Sequence, residues 1–551
     1  MNAAGGAGRR WPWLVLFGAL LVVGAYLRVA QLATQMLMDD EWHAVRMLLQ
    51  SGYAGIARHF GLADHSIPLT LYYRWLYVHG LLDEWSMHLP LLVAGLALLV
   101  LAPGLLRRLP LPTRVLWCGL LAISPPLVYF SRTARPYALL ALAGLVALVA
   151  FRNWQAGGPR RHAWAGAYLV ASVLAGWAHP LSLVFTLWPF VHYGMPALLD
   201  LRRRQQRRQA GRRLAGLAGL GAATLVPLAL LLGPPLVADW DALVGKAGAS
   251  SVSAASFGQT LLMQFGVVPA WLCLGLIALA VLGAWRLAQR EPDLLALTLG
   301  ASLAGGMTIA LAEPAWIQHA PVLVRYAAPV LPFLLLYLAE GLAAVIGRLR
   351  APGAQAATAG AVLVGLVAAG PLPDWYVRPN QFMEHAAFQF DYDRRTNPYW
   401  TLLELGPVSP FYRQLAARPP GSVTLIETPA RAVSNYSPDP WLQAIHHQNI
   451  KYALASPVCG IGAWDELPYP AQGVHFRRLL HLDEVLAGHT AGADYLVMRL
   501  APWTLPRKDF PWPSPWPDMP ACVAKVAARL GPPVWRDAQI AVFALARPDG
   551  S

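Results

Sequence analysis

A chain of 551 residues that is 56% hydrophobic, only 13% charged and of mean hydropathy +0.43 is not an ordinary soluble protein, which carries about a quarter charged residues; it is polytopic, with room for an extra domain. The formal net charge of +14 raises nucleic acid as a partner. However, the densest basic run, Arg202-Arg203-Arg204 with Arg207, Arg208, Arg212 and Arg213, lies between apolar stretches with no basic-aromatic surface beside it, so it reads as a topology signal that touches anionic membrane lipid, with no nucleic acid partner.

The first apolar stretch, 11–30, is long enough to cross about 30 Å of hydrocarbon at about 1.5 Å per residue. Arg9-Arg10 resembles the start of a signal peptide, but the apolar run is too long and no small-x-small cleavage site follows, so the stretch reads as a retained helix. Further apolar stretches cover 88–106, 114–130, 136–151, 163–179, 180–199, 214–233, 266–285, 293–312, 326–347 and 357–371. The expected fold is therefore a mainly α, polytopic membrane protein of about eleven transmembrane helices. One set of connectors is basic throughout: Arg9-Arg10, Arg107-Arg108-Arg114, Arg152-Arg160-Arg161, the arginine run, Arg286-Arg290 and Arg348-Arg350. The alternate set, 31–87, 131–135, 234–265 and 313–325, is acidic or sparsely basic. This places the N-terminus in the cytoplasm. An odd helix count then places everything after 371 in the periplasm of a bacterial inner-membrane protein.

The loop 31–87 mixes Trp42, Met47, Leu48, Leu49, Tyr53 and Ile56 with His, Arg and Asp at helical spacing. It reads as interfacial helices lying on the membrane, with Asp39 or Asp40 as an N-cap. It is taken with the membrane domain, 1–371. From 372 to 551 polar residues, Pro, Trp and Tyr rise. Strand-like runs at Val423–Glu427, Tyr452–Ser456, Tyr495–Leu500 and Ile540–Leu545 alternate with helical patterns such as Leu479–Ala487, which predicts a soluble α/β domain. The segment 502–520 reads as a stiff proline-tryptophan loop. Cys118 and Cys273 fall in apolar stretches as packing residues; whether Cys459 and Cys522 pair is left open.

Four polar clusters map to the outer ends of helices. They are Asp39-Asp40-Glu41-Trp42-His43, Asp64-His65-Ser66-Ile67-Pro68-Leu69, Ser131-Arg132-Thr133-Ala134-Arg135-Pro136-Tyr137, and Arg325-Tyr326; His179-Pro180 lies at the same level. Acid and arginine together at a membrane surface suit glycosyl transfer from a polyprenyl phosphate. The leaving phosphate needs charge stabilisation, for which the planar guanidinium fork is fitted, and the attacking hydroxyl needs a base. Each cluster also has a plainer role. The acids suit a solvated helix cap, and Arg132 and Arg135 suit headgroup anchors or a helix C-cap. Arg325 suits an ion pair with Glu313, and Asp64, His65 and His179 suit loop hydrogen bonds. Asp40, Glu41 and His43 are also of the residue types that bind divalent ions, although no metal or other cofactor is expected. The absence of a Walker loop, dinucleotide fingerprint or nucleophile elbow favours a lipid-linked donor over a nucleotide sugar.

The order of these motifs resembles the C-type (GT-C) membrane glycosyltransferases: Asp-Glu after the first helix, a His- and Pro-Leu-containing segment in the same loop, Ser-Arg-x-x-Arg-x-Tyr-Ala-Leu, and Arg-Tyr-x-x-Pro-Val-Leu-Pro. The resemblance is to the family-39-like bacterial branch, which includes the lipid A aminoarabinose transferase and is related to protein O-mannosyltransferases. It covers about residues 10–350. It implies that Asp40 is the catalytic base, with Glu41 beside it and Asp39 as an extra acid. It also implies that Arg135 and Arg325, with Arg132 as a lesser candidate, hold the donor phosphate. The usual His-Pro-Pro-Leu reads His65-Ser66-Ile67-Pro68-Leu69 here, with one residue more. Asp64, His65, Tyr137 and His179 complete the expected substrate-binding set. The expected function is an inverting transfer of sugar from a polyprenyl-phosphate donor to a lipid, glycan or protein acceptor in the cell envelope. The other readings are a lipid-linked sugar transporter, disfavoured because charges cluster at helix ends rather than mid-membrane, and an inactive scaffold with a periplasmic binding domain.

Overall fold

A computed structural model describes residues 3–30, 32, 35, 37, 40–61, 66–377, 408–430, 442, 445–455, 457–460, 474–476, 479–501 and 518–545. Each apolar stretch read from the sequence is helical. Among the described residues seven helices are long and apolar enough to cross a membrane, or eight if the bent pair Ala320–Tyr326 and Leu331–Ile346 is one span. Leu111–Ile123 and Pro352–Ala368 are shorter apolar helices. The expected stretch 114–130 is broken into Leu111–Ile123 and Pro125–Phe130, with Ser124 extended at φ −64°, ψ 115°. Pro125 and Pro126 explain the break, since a proline disfavours helical backbone in the residue before it. Pro329 acts alike in the turn at the 90° bend between Ala320–Tyr326 and Leu331–Ile346.

The chain divides into two compact units. The first comprises Met1–Leu32, Tyr53–Tyr72 and His88–Leu372. Apolar side chains such as Val22, Leu230, Leu274 and Leu311 are exposed on its helices, as a bilayer-facing surface requires. Helices Ala270–Arg290 and Leu331–Ile346 cross in backbone contact. A Cβ at Gly283 would lie 1.8 Å from the Tyr337 carbonyl oxygen, and one at Gly341 1.9 Å from that of Leu279. Small residues allow such approach, on which helix association in lipid depends. Beside the crossing, Glu340 is buried and accepts hydrogen bonds from Thr113 Oγ1 at 2.6 Å and Arg290 Nη1 at 2.7 Å, so its charge is paired as burial demands. At the end of helix Arg207–Ala238, the Asp239 carboxylate accepts from the Phe60 N–H at 2.5 Å and the Gly61 N–H at 3.3 Å, and lies 3.1 Å from His59 Nδ1. Burial pushes this carboxyl up, but the hydrogen bonds outweigh it and hold the group below its ordinary value. The stability it lends is present above the ordinary carboxylate range and is lost as pH falls through the lowered value.

The second unit comprises Ala33–Gly52, Tyr73–Met87 and Pro373–Ser551. The loop 31–87 is thus divided between the units. The strands are β1 (Leu82–Asp83), β2 (Thr424–Ala430), β3 (Asn449–Leu454), β4 (Val474–His475), β5 (Leu479–His481), β6 (Tyr495–Arg499), β7 (Trp535–Arg536) and β8 (Ile540–Ala544). Six form one sheet in the order β5-β3-β2-β6-β8-β7. β2 pairs in parallel with β3 and β6, with Leu425 opposite Ile450 and Tyr495, and β8 runs antiparallel to β6. Successive residues of β2 point to opposite faces, and both faces are covered. Ile426 packs with Leu496, Met519, Val523 and Phe543, whereas Leu425 packs with Phe411, Leu415, Val497 and Val542. The expected α/β character holds. The predicted helical run 479–487 instead splits into edge strand β5 and the short helix Leu482–Leu486, because so short an apolar run satisfies either periodicity. Of the proline-tryptophan segment, 502–517 lies outside the described residues.

Cys459 and Cys522 form a disulfide with Cα atoms 5.0 Å apart, and Cys118 and Cys273 are free and buried. The bond spans 63 residues. Removing it with Cys459→Ser and Cys522→Ser is expected to cost about 4 kcal/mol by the loop-entropy relation, measured as a lowered unfolding midpoint of the full chain relative to wild type.

Candidate functional site

The arginine half of the expected site lies in the first unit. Arg132 and Arg135 sit in the turn between helices Pro125–Phe130 and Tyr137–Ala156, and Arg325 in the last turn of Ala320–Tyr326. All three are buried. Arg132 Nη1 donates to the carbonyls of Leu27, Arg28 and Ala30 at 3.0, 3.3 and 2.7 Å. It therefore caps the C-terminus of the first helix, Ala3–Val29, where carbonyls lack intrahelical partners and a cation is favoured. Arg325 is differently placed. Its guanidinium lies 6.0 Å from the Tyr137 ring centroid, within cation–π range. Tyr137 is 6.5 Å from the His179 ring, which meets Tyr326 edge-on at 5.5 Å. No ion pair joins Arg325 to Glu313, whose backbone is left-handed at φ 41° and ends helix Pro292–Ala312. The structure thus brings Arg325, Tyr137 and His179 together with Tyr326, with Arg135 two residues before Tyr137 in the chain.

Arg28 is the residue that the sequence reading missed. It is fully buried and donates to Ser131 Oγ at 3.2 Å, to the carbonyls of Gly24 at 2.9 Å and Ala122 at 3.0 Å through Nη1, and to that of Leu121 at 2.9 Å through Nη2. It ties the end of the first helix to that of Leu111–Ile123 and to the turn carrying Arg132 and Arg135. Gly95 makes room: a Cβ there would lie 2.0 Å from Ser131 Oγ. The available signal was a lone arginine within an apolar span, which has to be paired or functional.

The acidic half belongs to the second unit. Asp40 precedes helix Glu41–Gln50 in the N-cap position, but its backbone is already helical at φ −58°, ψ −18° and its side chain makes no capping bond. Its carboxylate lies 3.8 Å from His43 Nδ1 and is partly exposed. Glu41 is buried beside Trp42, whose Nε1–H donates to the Leu37 carbonyl at 3.1 Å and whose ring meets Phe476 edge-on at 5.1 Å. Helix Glu41–Gln50 is amphipathic, as expected, and buries Trp42, Val45 and Leu48. Parallel pairing of β1 with β4, Leu82 opposite Val474, joins the later part of this loop to the C-terminal region. Asp39, Asp64 and His65 lie outside the described residues. Among the described residues no group of three His, Cys, Asp or Glu side chains is placed to hold a metal ion.

No family model matches the chain, and no curated protein matches its sequence. Among solved structures it is similar to ArnT from Cupriavidus metallidurans in the apo state (16% identity, 98% of each chain covered, TM-score 0.46). It is also similar to the same protein bound to undecaprenyl phosphate (15% identity, 98% of each chain, TM-score 0.44). A third is the archaeal oligosaccharyltransferase AglB from Archaeoglobus fulgidus in complex with an inhibitory peptide and a dolichol-phosphate. There the identity is 12%, the coverage 89% of this chain and 69% of that one, and the TM-score 0.41.

Proposed function

We propose that this protein is an integral membrane glycosyltransferase that moves a sugar from a polyprenyl-phosphate donor to a hydroxyl acceptor of the cell envelope. The observation that carries this reading is the cluster of buried Arg325 and Tyr137 with half-buried His179 and Tyr326, with Arg135 adjoining it in sequence. Arg135 and Arg325 hold the donor phosphate, and Tyr137 and His179 line the sugar. The acceptor oxygen attacks the anomeric carbon as the bond from that carbon to the phosphate oxygen breaks, and the electron pair leaves with the phosphate. The proton passes to Asp40, with Asp39 or Glu41 orienting it. One displacement inverts the anomeric centre. Fixed guanidiniums stabilise the charge that grows on the leaving phosphate without reorganising. Arg132, occupied with helix carbonyls, holds the turn in place. The α/β domain binds the acceptor on the periplasmic side, a placement that the Cys459–Cys522 disulfide supports, since such bonds persist in oxidising compartments.

The test uses purified full-length protein, radiolabelled polyprenyl-phosphate sugars and total membrane extract. Label is expected to move covalently to a new product. Sugar crossing a vesicle membrane without covalent transfer would replace this reading with a transporter. A protein that binds no polyprenyl phosphate and moves no sugar would be a scaffold.

A further inference from the structure

A concave site lies far from the arginine–aromatic cluster. Where Glu84–Leu105 turns into Leu111–Ile123, and Tyr137–Ala156 into Arg161–Ala178, a cavity of about 550 Å³ opens, whose charged lining is Arg107, Arg108, Arg152, Arg160 and Glu291. Tyr137 and Arg152 stand at opposite ends of one helix, about 22 Å apart at 1.5 Å per residue. Arg152 is neutralised by Glu291 and by Asp293 at 3.0 Å. No carboxylate lies within ion-pair reach of Arg107, Arg108 or Arg160 among the described residues, and all three are exposed. Arg107 Nε donates to the Gly104 carbonyl at 3.1 Å, which orients the guanidinium. Three uncompensated guanidiniums around a concavity focus a positive field and present forked donors to phosphate oxygens.

The remaining wall is not that of a soluble-anion site. Val100 and Leu101 line it and are 62% and 45% exposed on the apolar helix that ends here. Trp164 also lines it, and tryptophan favours the headgroup level. A polar mouth continuous with an apolar, outward-facing wall fits a molecule with a phosphate head and acyl chains. We propose that this cavity binds the headgroup of an anionic glycerophospholipid of the surrounding bilayer, with the phosphate among Arg107, Arg108 and Arg160 and an acyl chain along Val100 and Leu101. Basic cavities between membrane helices recognise lipid heads in this way.

The test is native mass spectrometry of the detergent-purified full chain with dioleoyl phosphatidylglycerol or phosphatidylcholine. Phosphatidylglycerol is expected to be retained selectively. The combined variant Arg107→Gln, Arg108→Gln, Arg160→Gln is expected to lower that retention at least about tenfold. Arg413→Gln, Arg529→Gln, Arg536→Gln removes equal charge from exposed positions of the second unit and is expected to leave it unchanged. A Cβ at Gly104 meets nothing within 4 Å, so Gly104→Trp fills the cavity without altering charge and is expected to lower retention to a similar degree. If the triple variant does not fold, Gly104→Trp decides alone. Equal retention of phosphatidylcholine, equal loss in the second-unit control, or full retention in Gly104→Trp would overturn the proposal. Full displacement of the lipid by millimolar inorganic phosphate would assign the site to a soluble anion and overturn it as well.

Discussion

With Asp40 as the proposed base, Asp40→Asn is expected to leave the protein folded and to lower sugar transfer by about 10²–10⁴-fold, the range for removal of a general base. Asparagine keeps the shape of the side chain but does not take the acceptor's proton. The structural cost is expected to be small, because asparagine keeps the side chain's size and one accepting oxygen, and Asp40 is partly exposed. Glu41→Gln is a useful contrast. Glu41 is buried, so its replacement is expected to lower the unfolding midpoint as well as the rate. Initial rates and unfolding midpoints measured together separate the two acids. Full transfer by a folded Asp40→Asn protein would remove Asp40 from the role of base.

Gly283→Leu prevents the helical bundle from assembling. The added Cβ would fall 1.8 Å from the Tyr337 carbonyl oxygen and 2.6 Å from the Gly341 nitrogen. Both are backbone atoms, so no side chain can swing aside and the two helices have to part. Parting them also loosens the Glu340 bonds to Arg290 and Thr113. The expected loss is at the upper end of overpacking effects, about 3 kcal/mol or more, seen as loss of the monodisperse peak in detergent. Gly283→Ala is expected to show a milder form of the same defect. A Gly283→Leu protein that elutes and melts like wild type would show that the helices do not meet at this crossing.

The helical stretches were legible because an apolar run of membrane length is costly to keep in water and suits a bilayer. Where the reading was too simple, proline was the cause. Pro125-Pro126 and Pro329 break stretches that hydropathy alone joins, and both breaks fall beside site arginines, Arg132 and Arg135 at one and Arg325 at the other. The residue types of the proposed site were read from chemistry. Their division of labour was not, since only geometry separates Arg132, bound to helix carbonyls, from Arg325, held against an aromatic ring. Arg28 went unseen because a single charge near the end of an apolar run looks like a residue reaching for the interface. In the C-terminal region the strand-like runs located β2, β3, β6 and β8, whereas three-residue β5 is too short to carry a period.

The pairing of β1 with β4 bears on how the protein is made. Leu82 leaves the ribosome early and its strand partner Val474 late. The segments Ala33–Gly52 and Tyr73–Met87, which carry Asp40 and its helix, share a compact unit with the chain after Pro373. During biogenesis the membrane helices between them insert before that unit has its full sequence. Contacts so distant in sequence form last. A nascent or truncated chain that lacks the C-terminal region therefore holds its membrane helices but leaves the Asp40 loop without its folding partner.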